Sequence, residues 1–87
     1  MLKLVETTED GTYGPFNVSF TLATIYIQID GSGTVELKAS PEASGPLLPV
    51  KTFFQSAVDA LHAPVRFLWV ETKNVSGTIR VWFDGGR

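Results

Sequence analysis

The 87-residue sequence contains no cysteine. That excludes a disulfide scaffold, a thiol nucleophile and any cysteine-ligated zinc or iron–sulfur site. It has one histidine, His62, so a histidine-rich metal site is excluded and only an oxygen-only site stays formally open. Charge is scarce, at 18% of residues against a usual ~25%. Seven basic and nine acidic side chains give a net charge of −2. No basic face follows from this, and no nucleic-acid partner held through phosphate charge is expected. No apolar run approaches the ~18 residues of a membrane helix. Lys3 and Glu6 interrupt the amino-terminal apolar stretch, so a signal-peptide core and a membrane partner are not expected either. The length allows a single domain, residues 1–87. A hydrophobic fraction of 44% is enough to argue against disorder.

What is present is alternation. Residues 2–8 read as a first strand, followed by the turn signal Asp10-Gly11 and a second break at Tyr13-Gly14-Pro15. Phe16, Val18 and Phe20 alternate with polar residues, and Ile25, Ile27 and Ile29 alternate with Thr24, Tyr26 and Gln28, the spacing of half-buried strands. The inward parity changes between Phe20 and Ile25, which places a bulge or corner near Leu22-Ala23. Asp30-Gly31-Ser32-Gly33 reads as a hairpin turn leading into Val35, Leu37 and Ala39. Residues 40–49, with three prolines, read as a loop, and 50–54 as a short strand. Residues 55–62 fit one or two helical turns or an extended crossing loop, ended by Pro64. Two strong strands follow at 65–72 and 78–84, joined through Lys73-Asn74-Val75-Ser76-Gly77. Strands throughout, with no long helical pattern between them, predict an all-β fold. The expected form is a compact antiparallel β-sandwich or jelly-roll-like barrel of six to eight short strands.

The expected terminal hairpin has two registers. A five-residue turn puts Phe67, Trp69, Ile79, Val81 and Phe83 on one face, and Arg66, Leu68, Val70, Arg80 and Trp82 on the other. A four-residue turn makes the core face Leu68, Val70, Thr72, Ile79, Val81 and Phe83, and sets Trp69 opposite Trp82 and Glu71 opposite Arg80. Both leave bulky apolar side chains on a second face, where an antiparallel sandwich normally presents polar ones. Either a loop such as 40–64 covers that face, or another subunit does, or a sugar stacks on Trp82. A chain this short, without disulfide or metal, gains from the added burial of a partner surface. The subunit-interface candidates are Leu68, Val70, Arg80 and Trp82.

Little in the sequence speaks for catalysis. His62 has no carboxylate beside it, and a triad with Asp59 and a serine lacks a nucleophile elbow. Asp30-Gly31-Ser32-Gly33 lacks the further acidic positions of a calcium loop and the lysine of a phosphate loop. No two carboxylates form a convincing acid/base pair. No catalytic residue, metal ligand or cofactor is therefore assigned, and the chain is not expected to be an enzyme. Tyr13, Tyr26, Phe53, Trp69 and Trp82 could supply an aromatic platform for sugars.

The string from Asp30 through Gly31-Ser32-Gly33-Thr34-Val35-Glu36-Leu37-Lys38-Ala39-Ser40 to Pro41, with Val65-Arg66-Phe67-Leu68-Trp69-Val70 and Ser76-Gly77-Thr78-Ile79-Arg80-Val81-Trp82 later, resembles small β-sandwich virion proteins of tailed bacteriophages. The resemblance covers about two thirds of the chain and rests on pattern, with no catalytic signature. It implies a non-enzymatic structural protein, most like a capsid cement or decoration protein. Such proteins sit on the capsid exterior, commonly as homotrimers, and bind the major capsid protein after assembly in the host cytoplasm. The capsid contact would then fall on Pro41, Pro46, Leu47, Leu48 and Pro49, or on a flexible segment 1–13. A carbohydrate- or receptor-binding module of a tail fibre, and a head–tail or baseplate connector subunit, are the alternatives.

Overall fold

A computed structural model describes residues 2–20, 22–61 and 65–85. These form six antiparallel strands and no helix: β1 (Leu2–Thr7), β2 (Gly11–Phe20), β3 (Ala23–Ser40), β4 (Leu48–Phe53), β5 (Ala57–Leu61) and β6 (Val65–Gly85). The expected all-β antiparallel class is what the chain adopts. His62, Pro64 and Met1, on which expectations also fell, lie outside the described residues.

Neither expected hairpin exists. β3 runs for 18 residues straight through Gly31-Ser32-Gly33, and β6 for 21 through residues 73–77. The two long strands pair with each other, from Ala23 opposite Gly85 to Ser40 opposite Phe67. At ~3.3 Å per residue, 18 residues would extend about 60 Å, yet the longest dimension of the molecule is 32 Å. The β3–β6 ribbon must therefore bend double. It does so where Gly31 faces Gly77. A Cβ on Gly31 would sit 2.1 Å from the Ser76 carbonyl oxygen, and one on Gly77 would sit 2.0 Å from that of Asp30. Both glycines also hold positive φ, 114° and 108°. Only residues without a side chain fit so close a backbone approach.

The bend gives one sheet two layers. In the first layer β1 pairs with residues 79–83 of β6, β6 with the start of β3, and β3 with β5. In the second, β2 pairs with residues 65–72 of β6, β6 with the end of β3, and β3 with β4. The expected corner near Leu22-Ala23 is where the chain passes from the second layer to the first. The 55–62 segment, read as helix or loop, contributes β5, and the 50–54 strand begins two residues earlier, at Leu48.

The inward side chains of both layers form one core. Val5, Ile25, Ile27, Ile79, Val81 and Phe83 come from the first layer, and Val35, Leu37, Phe53, Leu68 and Val70 from the second. β3 keeps odd-numbered residues inward throughout. β6 changes from even (Leu68, Val70, Thr72) to odd (Ile79, Val81, Phe83), because one extra residue enters between Lys73 and Ser76, opposite Gly33. This is a β-bulge, with Asn74 at φ 55°. The buried set is the one the four-residue-turn register anticipated, although its cross-strand pairing does not occur.

Candidate functional site

The bulge decides where the expected interface residues go. Leu68 and Val70 are fully buried in the chain's own core. They share no face with Arg80 and Trp82, which point outward from the first layer. The grouping of all four on one exposed face is corrected accordingly: one inserted residue inverts the faces of the two halves of β6. A second subunit can reach Arg80 and Trp82 but not Leu68 or Val70.

On the outer face of the first layer, Lys3, Trp82, Tyr26 and Val58 form one cross-strand row over β1, β6, β3 and β5. Tyr26 and Trp82 are direct partners, both half-buried. Glu6, Arg80 and Gln28 form the row on one side. Glu6 accepts from Lys3 Nζ at 2.8 Å and from Arg80 Nε at 2.9 Å, and Arg80 Nη1 donates to Gln28 Oε1 at 3.3 Å. The Lys3 hydrogen bond, followed by that of Arg80, holds the Glu6 carboxyl below its ordinary value. Asp84, Thr24 and Ala60 form the row on the other side. Of the five aromatics considered for a platform, only Tyr26 and Trp82 fit. Phe53 is in the core, Trp69 is buried, and the half-buried Tyr13 hydroxyl lies 2.9 Å from Thr7 Oγ1.

Trp69 explains how the second layer's apolar outer face is covered. It points outward from β6 yet is only 6% exposed. The cover is β2, where the strand register shifts between Tyr13 and Phe16. A Cβ on Gly14 would stand 2.8 Å from Trp69 Cδ1, so glycine lets the β2 backbone lie against the indole. The segment that lies against Trp69 is thus the one around Gly14 in β2. Residues 2–7 and 11–13 are strand, which corrects the expectation of a flexible amino-terminal arm. Beside Trp69, Glu71 Oε1 lies 3.2 Å from Lys73 and 3.3 Å from Lys38, and Lys38 lies 3.5 Å from Glu36. Burial pushes the Glu71 carboxyl up, but Lys73, Lys38 and the Thr12 hydroxyl outweigh it and hold the group below its ordinary value. The Glu71 carboxylate beside it raises Lys38.

The third surface is the edge that β4 and β5 form along β3. Pro41, Pro46, Leu47, Leu48 and Pro49 are all exposed. Val50, Phe54 and Val58 extend this apolar surface, with Phe54 75% exposed and Val58 67%. Val50 is the extra residue of a register shift in β4. Lys51 and Asp59 sit at inward-facing positions of the two edge strands, in opposite layers, and form an ion pair. That pair closes the open side of the sandwich and puts charge on otherwise apolar edge strands.

An open cleft of about 360 Å³ is lined by Glu6, Thr7, Thr8, Glu9, Thr78 and Arg80. Its Glu6 and Arg80 are already paired with each other, and it offers no nucleophile–base arrangement. Among the described residues no group of three or more carboxylates or histidines is placed to hold a metal ion. Comparison with protein-family models, with curated proteins and with solved structures gives no match.

Proposed function

We propose that the chain is a non-enzymatic structural protein of a tailed-phage virion, a decoration protein that docks on the outer capsid surface with the major capsid protein as its partner. The observation supporting this reading is the concentration of exposed apolar side chains on one edge. Leu47, Leu48, Val50, Phe54 and Val58 are bare there, beside the proline-rich segment 41–49. Contiguous exposed apolar surface marks a protein contact, and a large aromatic such as Phe54 suits an anchor role. Many copies on a repeating shell would turn modest affinity per copy into stable coating. The protein would reside in the host cytoplasm until assembly and on the capsid exterior afterwards. A homotrimer remains part of the proposal.

The test mixes the purified protein with shells assembled from the major capsid protein of the same genome and measures co-sedimentation. Saturable retention is expected. Leu48→Asp with Phe54→Asp should weaken retention by at least ~10-fold and leave thermal stability near wild type, since both side chains already face water. Wild-type protein that stays in the supernatant at micromolar concentration overturns the reading.

A further inference from the structure

We propose that the outer face of the first layer is a binding site for a neutral oligosaccharide, with Trp82 and Tyr26 as the stacking platform and Gln28 and Arg80 as its polar flank. This does not rest on the capsid reading: Trp82, Tyr26, Gln28 and Arg80 lie on β6 and β3, off the β4–β5 edge, and only Val58 borders both surfaces. Neighbouring strands lie ~4.8 Å apart, so Trp82, Tyr26 and Val58 in one row make a strip of about 10 Å, roughly two pyranose rings long. The C–H face of a pyranose is weakly positive and matches the negative face of an aromatic ring. The hydroxyls at the rim of the sugar need planar donors and acceptors at the edges of the strip. The neighbouring row supplies them: Gln28 accepts from Arg80 through its oxygen and presents its NH2 as a donor, and Arg80 is held by Glu6 at 2.9 Å. On the other side Thr24 and Ala60 are small and leave the aromatic pair accessible, with Asp84 as a further acceptor.

Charge selects the kind of sugar. Within one row of the aromatic pair the face has two cations, Lys3 and Arg80, and two carboxylates, Glu6 and Asp84, and one row further on Asp30 adds a third carboxylate. Lys3, Glu6 and Arg80 are moreover tied to one another. Both cations are held by the one Glu6 carboxylate, so an anionic glycan would have to compete with Glu6 for either of them. A second copy of the chain fits this face poorly, because interface cores are depleted in charged residues and here four of them lie within one row of the aromatics.

The experiment is an array of neutral hexose and N-acetylhexosamine oligosaccharides with sialylated and phosphorylated controls, followed by calorimetric titration of the best binder. Wild-type protein should bind a neutral oligosaccharide in preference to the charged controls. Trp82→Ala and Tyr26→Ala should each weaken binding by ~10-fold or more. Gln28→Ala, which removes no apolar surface, should weaken it measurably with unchanged thermal stability, so the site remains testable even where an aromatic variant folds poorly. Absence of binding to any neutral oligosaccharide, preference for the anionic controls, or wild-type affinity in both Trp82→Ala and Gln28→Ala overturns the proposal. So does a wild-type dimer in sedimentation that Trp82→Ala converts to monomer, since a second copy would then occupy the face.

Discussion

Asp10 shows how one side chain can secure a fold defect. The bulge in β6 takes its amides out of the ladder with β3, and unpaired backbone donors are costly where water cannot replace the partner. The Asp10 carboxylate, from the turn between β1 and β2, accepts the N–H groups of Asn74 and Val75 at 3.0 and 2.9 Å. Next to it the buried Thr72 hydroxyl donates to the Glu9 carbonyl at 2.9 Å. The two contacts pin the β1–β2 turn onto the residue insertion that sets the parity of β6. Asp10→Ala should therefore cost about 1–2 kcal/mol, the range for losing a charge-assisted bond to backbone amides where water can partly substitute. Asp10→Asn should retain about half of that, since its amide oxygen still accepts. Urea denaturation of the three proteins measures it, and an Asp10→Ala midpoint equal to wild type would show that the bulge stands without the clamp.

Among the elements, β3 and β6 define the architecture, and the hinge between their halves is a pair of facing glycines. Gly77→Ala should destabilise by about 3 kcal/mol or more, because the added Cβ meets the Asp30 carbonyl oxygen at 2.0 Å and the residue holds a φ of 108°. Soluble Gly77→Ala protein with a wild-type denaturation midpoint would contradict the bend described here. The same glycines show what could be read from the sequence. Alternation at Ile25, Ile27, Val35 and Leu37 identified strand and inward face correctly, because period two is a local property. Gly31 and Gly33 were legible as turn glycines, but the positive φ that glycine permits serves a hairpin turn and a bend in a continuing strand equally well. The choice depends on the pairing of β3 with β6, which joins residues more than sixty positions apart at its extreme. No local pattern contains it. The same long-range term turned residues 57–61 into a strand on the edge of β3, despite a composition that also suits a helix. It also sent Leu68 and Val70 inward, which removed half of the expected interface. Tyr26, at a polar-parity position between buried isoleucines, and Trp82, off the core face in both expected registers, were the local signs of the aromatic pair on the outer face.

At the scale of the whole molecule, the outer faces of both layers are laced by ion pairs whose protonation links stability to pH. Glu6 and Glu71 have folded values below their ordinary 4.5, Glu6 through Lys3 and Arg80, and Glu71 because two lysines and Thr12 outweigh its burial. A depressed carboxyl contributes stability above its unfolded value and loses it as pH falls through the folded one. Lys38 is raised above its ordinary 10.5 by Glu71. Its contribution is complete below that value and disappears as pH rises through the folded one. With no buried charge to invert the pattern among these three, a plateau is expected from about pH 5 to pH 10, with losses on both sides. The individual pairs are solvated, so each contribution is modest and screened by salt. Glu71 is the group shared by both limbs: it is a depressed carboxyl itself and the main cause of the Lys38 shift. Glu71→Gln should lower stability on the plateau, flatten the acid limb below about pH 4.5 and shift the alkaline loss of Lys38 to lower pH. Thermal melts of wild type and Glu71→Gln between pH 3 and pH 12 in low salt measure all three effects. Parallel curves, offset but with the same acid and alkaline slopes, would mean that the Lys38–Glu71–Lys73 cluster is a surface decoration of the sheet and not a coupled contributor to its stability.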